Sequence, residues 1–120
     1  MLIRSQDKTA VVNVDNVFDI GTRDINGATA ICIGSSSSFR NIAEYSNKAK
    51  AMKVLDMIQE AYTDFEASKI TSTGLATAAY TGSYDTPESV AGGIQVLKGY
   101  AELIRESVVF QMPEDSEVVV

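Results

Sequence analysis

Hydrophobic and polar positions alternate in short runs over the first third of the chain. "LIRSQ" and "TAVVNV" flank Asp7-Lys8, so two strands joined by a tight turn are predicted. In "NVFDIGTR", Phe18, Ile20 and Thr22 fall on one face of a strand, and Val17, Asp19 and Gly21 on the other. "DING" ends in Asn26-Gly27, the dipeptide that best supplies the positive φ angles of a two-residue hairpin. "ATAICIG" is apolar on both faces from Ala30 to Ile33, which predicts a strand buried on both sides. "SSSS", residues 35 to 38, is a loop or irregular edge, and "FRNIAEY" is a further strand.

The period then changes from two to 3.6. Ser46 is the expected N-cap of a helix over residues 46–67, in which Ala51, Val54, Leu55, Ile58, Ala61, Tyr62 and Phe65 form one apolar face. Lys50, Lys53, Asp56, Glu60 and Asp64 occupy the opposite side. Residues 68–86 are rich in Ser, Thr, Gly and Ala; they are expected to form a loop, with a short helical turn over 75–79. A second helix is expected over 87–107. Asp85 or Thr86 would cap it and Pro87 would take its first position. Val90, Ile94, Leu97, Ala101 and Ile104 make a narrow apolar seam, and Val96, Tyr100 and Leu103 a second stripe. Two stripes can serve the helix's own sheet and another chain, so a homo-oligomer is expected. "VVFQM", within 108–113, is a last strand stopped by Pro113, and 114–120 are an acidic, then apolar, tail. The fold class is therefore α+β in a single domain over 1–120: an N-terminal antiparallel β-sheet in residues 1–45, two α-helices and a short C-terminal strand.

Composition narrows the function classes. The chain has 120 residues, 45% of them hydrophobic, which suffices for one core. There is no histidine and one cysteine, Cys32. Zinc sites and Ser-His-Asp or Cys-His arrangements cannot be built from such a chain, so no enzyme, no metal and no cofactor is expected. A net charge of −6 opposes long-range attraction to a nucleic-acid polymer or an anionic membrane. The apolar runs are too short to span a bilayer and the start of the chain lacks a signal-peptide pattern, so a cytoplasmic location is expected.

The chemistry that remains is binding. "YDTPESVAGGIQVLKGY" places Gly92, Gly93 and Gly99 in the predicted second helix, where each weakens the helix by roughly 1 kcal/mol relative to alanine. Close packing of helices explains such glycines; so does a ligand lying on bare backbone near a helix N-terminus. Tyr80 and Tyr84 are either packing residues or flat platforms for a base. Arg105 is either a surface charge or a forked clamp for phosphate, with Lys98 seven residues earlier on roughly the same side and Gln95 between the glycines and that lysine. Gly34 with the serine run, Ser36 at its centre, offers backbone N–H groups and hydroxyls to an anion, or is a plain polar loop. Arg23 and Arg40, at strand or loop ends, are solvated charges by default.

"IRSQDK" at 3 to 8, "KAMKVLDMIQEAY" at 50 to 62 and "VFQMP" at 109 to 113 resemble a family of small, mostly uncharacterised proteins of Gram-positive bacteria and their phages. Those segments imply a shared fold more than a function. In size and element order the chain is also similar to phage Thoeris anti-defence proteins of the first type. That resemblance implies a non-catalytic sponge that binds cyclic ADP-ribose isomers or cyclic oligonucleotides in pockets between subunits of a dimer or hexamer, within the host-cell cytoplasm. It makes Phe18 and Tyr84 adenine-contacting aromatics and sets Arg105 against the pyrophosphate. The competing expectations are a protein-interaction module that inhibits a host enzyme by docking, and a small phage structural subunit.

Overall fold

A computed structural model of the chain describes residues 1–34, 38–81, 98, 99, 102 and 108–120, without the side chains of 71–81. The chain forms two compact units. The first comprises Met1–Tyr62 and Val109–Val120, the second Thr63–Val108.

Among its described residues the first unit is α+β, with six strands in two sheets. β1 (Leu2–Arg4) and β2 (Val11–Asn13) are antiparallel, with Ile3 opposite Val12. Their connection is tied by hydrogen bonds from Ser5 N to Ala10 O and from Lys8 N to Ser5 O, both 2.9 Å. β3 (Asp19–Ile25), β4 (Ala28–Gly34) and β5 (Phe39–Tyr45) form an antiparallel sheet in that order. Asn26 and Gly27 turn the β3–β4 hairpin at φ angles of 45° and 87°, as their residue types require. Every residue of β4 from Thr29 onward is buried, matching its apolar pattern. A bulge at Ile31/Cys32 shifts the β4–β5 register by one residue.

The expectation of one N-terminal sheet is corrected at β6 (Val109–Gln111). This strand pairs parallel with β1, Ile3 facing Phe110, so the order β2-β1-β6 makes a second, mixed sheet. A further expectation fails at residues 114–120. They are not a free tail: Asp115–Glu117 form a 3₁₀ turn, and Met112 and Val118 are buried. Asp115 Oδ1 accepts from Ser46 N at 2.7 Å, and Lys50 Nζ donates to Asp115 O at 2.9 Å. Lys53 Nζ donates to the carbonyl of Val119. The fully buried side chains Ile3, Ile31, Tyr45, Val54 and Met112 come from β1, β4, β5, the helix and the C-terminal segment, so each contributes to the core.

The helix α1 runs over Lys48–Thr81. Ser46 is not its cap; it lies one residue before the cap, and its N–H donates to Asp115. Asn47 Oδ1 accepts from Lys50 N at 2.9 Å and so caps the first turn. Ala51, Val54 and Ile58 are buried, as their spacing predicts. The expected end at 67 and the expected loop are corrected over 68–81, where the helix continues to Thr81; residues 82–86 of that loop lie outside the described residues. Extending an established helix fixes one residue per hydrogen bond gained, so Ser, Thr and even Gly74 are tolerated once a long nucleus exists.

In the second unit, Phe65 is buried and Lys69 Nζ lies 4.9 Å from its ring centroid while pairing with Glu66 at 3.2 Å. Of the expected second helix, Lys98, Gly99 and Glu102 are helical; the rest lies outside the described residues. No helix among the described residues is long and apolar enough to cross a membrane.

Candidate functional site

Two features of the first unit carry polar chemistry. One is the loop after β1. Asp7 Oδ1 accepts from Ser5 Oγ at 2.7 Å, Thr9 Oγ1 at 2.7 Å and Thr9 N at 3.0 Å. Those bonds to Thr9 and Ser5, with the charge of Arg40 adding, hold the pKa of the exposed Asp7 carboxyl at about 2, below its ordinary 3.8. The loop and β5 line an open cleft of about 220 Å³ that includes Ser5, Asp7, Thr9, Arg40, Asn41 and Glu44.

Gln6 links this loop to the rest of the unit. Its backbone N–H donates to Ile42 O at 2.9 Å. Its side-chain Oε1 accepts from Glu44 N at 2.9 Å, while Nε2 donates to Glu44 O and to Pro113 O, both at 3.1 Å. The amide thus pairs with the outer edge of β5 much as a neighbouring strand would. Gln111 Nε2 donates to Ser5 O at 3.1 Å, and Tyr45 Oη donates to Pro113 O at 2.8 Å. Burial pushes the Tyr45 phenol far above its usual range, and the carboxylates of Glu114, Asp115 and Glu117 add to the shift. Asp115 titrates low, chiefly through the Ser46 backbone N–H. The motif segments 3 to 8 and 109 to 113 are therefore joined directly by hydrogen bonds, and the segment 50 to 62 bonds, through Lys50, to Asp115 just beyond them. Pattern reading missed Gln6, Tyr45, Gln111 and Asp115, because each acts across a long sequence separation that no local pattern marks.

The other feature is the end of the β3–β4–β5 sheet. Phe18 N donates to Gly34 O at 2.6 Å, and Gly34 stands between Asp19 and Phe39 in the ladder. A Cβ on Gly34 would lie 2.5 Å from Asp19 Oδ1 and 3.1 Å from the Phe39 ring, so glycine leaves room for both side chains. Phe18 is 84% exposed and Phe39 68%. Beside them Val17, Ile33, Gly34, Ser38 and Arg40 line a cleft of about 140 Å³. Arg40 borders both clefts and takes part in neither ion pair formed among the described residues.

The expected ligand residues fare differently. Phe18 is in the first unit, exposed at the sheet end. Lys98 is in the second unit, helical and exposed, and Tyr80 is there too, in the last turns of α1. Ser36, Tyr84, Gly92, Gln95 and Arg105 lie outside the described residues. Arg40, weighed as a solvated charge, is the cation that lines the cleft containing Val17 and Gly34. Among the described residues no group of three His, Cys, Asp or Glu is placed to hold a metal ion, and Cys32 is buried and free. Compared with known protein families, curated proteins and solved structures, the chain matches none of them.

Proposed function

We propose that the protein is a non-catalytic binding protein that sequesters a nucleotide signal, and that the end of the β3–β4–β5 sheet is part of its binding surface. The observation that carries this reading is the placement of two largely exposed phenylalanines, Phe18 and Phe39, on either side of Gly34 at a sheet end where Arg40 lines the adjoining cleft. An exposed aromatic face suits a base, and a forked guanidinium suits phosphate. The resemblance to phage anti-defence sponges supports a cyclic ADP-ribose isomer or a cyclic oligonucleotide as the ligand and an anti-defence role in the host cytoplasm. The cleft of about 140 Å³ is smaller than the ~300 Å³ at which ligand pockets begin. One copy of this cleft grips a single moiety of such a ligand, which agrees with pockets shared between copies of a homo-oligomer.

The two exposed phenylalanines also favour a second reading, a surface that docks a protein such as a host enzyme. Thermal unfolding with and without cyclic ADP-ribose isomers and cyclic oligonucleotides separates the two. Sequestration requires at least one of them to raise the Tm, since any ligand of the native state alone stabilises it. Mass spectrometry of what heat releases then shows the ligand intact, as a binding protein without catalysis requires. No shift with any of them removes the nucleotide reading and leaves the docking one.

A further inference from the structure

We propose that β3 is a self-association edge, through which two copies of the chain join their sheets antiparallel about a two-fold axis at Gly21. In the order β3-β4-β5, the outer edge of β5 is occupied by Gln6, through its N–H to Ile42 and its side-chain amide to Glu44. The outer edge of β3 pairs with no strand among the described residues, although β3 is seven residues long. The two-residue turn at Asn26-Gly27 makes Ile25 and Ala28 a hydrogen-bonded pair. Such pairs alternate along an antiparallel ladder, so Arg23, Gly21 and Asp19 also bond to β4. The N–H and C=O groups of Ile20, Thr22 and Asp24 consequently point away from the sheet. Exposed rows of this kind are templates for another strand.

Charge and side-chain size select the occupant and the register. Asp19, Gly21 and Arg23 lie on one face of β3. Neither charge forms an ion pair within the chain among the described residues. A second β3 laid antiparallel with Gly21 opposite Gly21 sets Asp19 of each copy opposite Arg23 of the other. Opposite charges directly across a ladder stabilise it, and like charges destabilise it. In the same register Ile20 and Thr22 become the hydrogen-bonded pair, which uses the groups that point outward. Gly21 suits the centre: a Cβ there would meet no atom within 4 Å, so packing inside the chain does not require glycine. A strand glycine without that need marks a close approach of another backbone. Registers two residues away on either side place Asp19 opposite Ile25 or opposite Gly21 and lose both charge pairs.

The inference goes beyond the nucleotide reading and its test needs no ligand. Sedimentation of the full chain is followed across micromolar to near-millimolar concentration, because one strand pair is at the small end of specific interfaces. The wild type is expected to self-associate. Arg23→Asp alone sets aspartates opposite aspartates, and Asp19→Arg alone sets arginines opposite arginines, so each variant is expected to associate at least tenfold more weakly. A mixture of the two variants restores both opposite-charge pairs and is expected to form a heterodimer. Circular dichroism checks that both variants keep the wild-type fold. A wild type that stays monomeric throughout, self-association that Arg23→Asp leaves unchanged, or a mixture of folded variants that stays monomeric would each overturn the proposal.

Discussion

Replacing Gln6 tests whether a single side-chain amide joins the two sheets of the first unit. Gln6→Ala removes three hydrogen bonds, two at 3.1 Å and one at 2.9 Å, and leaves the backbone bond to Ile42 in place. The two bonds to Glu44 are exposed, so water replaces much of their value, about 0.5 kcal/mol each; the part-buried bond to Pro113 is worth about 1 kcal/mol. Pro113 O keeps its bond from Tyr45 Oη, so no buried carbonyl is orphaned. The expected loss is therefore about 2 kcal/mol, or roughly 8 °C in Tm for a chain of this length. Gln6→Glu is the sharper variant. Its carboxylate still accepts from Glu44 N but sets an oxygen against the carbonyls of Glu44 and Pro113, where Nε2 had donated. At neutral pH it should be less stable than Gln6→Ala, by about 1 kcal/mol, and should recover as the carboxyl is protonated and donates again. Denaturant unfolding at pH 7 and pH 4.5 measures both variants. A Gln6→Ala protein within about 0.5 kcal/mol of wild type, or a Gln6→Glu protein at least as stable as it at pH 7, would refute the role assigned to the amide.

Two further outcomes follow from the same network. Asp7 is held at about 2 in the folded chain against 3.8 ordinarily, so its contribution to stability is complete above about pH 4 and is lost as the pH falls toward 2. Asp7→Asn keeps the acceptor for Ser5 and Thr9 but abolishes this dependence; its acid-unfolding curve should be flatter than wild type between those values, with the part due to Asp115 remaining. Asn47→Ala should destabilise by about 1 kcal/mol in chemical denaturation through loss of the N-cap of α1.

Local chemistry made much of the fold legible. Asn26-Gly27 announced its hairpin, the Ala30–Ile33 run its burial, and Ala51, Val54 and Ile58 the packed face of α1. Each is a short-range signal, in which neighbouring residues determine the outcome. The division into two sheets was not legible, because the parallel pairing of Leu2–Arg4 with Val109–Gln111 spans most of the chain and short strands leave no trace of their partners. Residues 68 to 81 misled because their Ser and Thr content reads as a loop when weighed alone, whereas the helix N-terminal to them propagates through. Ser46 and Asn47 are both good caps by type, and residue type alone does not say at which of them the helix begins; Asn47 is the one whose side chain accepts from the first turn. At the candidate site, Phe18 was singled out by the resemblance, while the alternating pattern had set it inside the strand that begins only at Asp19. Phe39 and Arg40 joined it only through the β4–β5 register, which no local pattern states.

The central claim is that the sheet end around Gly34 binds a nucleotide. Its most direct test is the melting temperature of wild type, Phe18→Ala and Arg40→Ala with each cyclic ADP-ribose isomer and cyclic oligonucleotide. A ligand present at 100 times its Kd should raise the wild-type Tm by roughly 10 °C. The variants should unfold like wild type without ligand and bind roughly 10- to 100-fold more weakly, so their shift shrinks at the same concentration. A wild-type Tm unmoved by every ligand at saturation, or a shift that both variants retain in full, would contradict the claim.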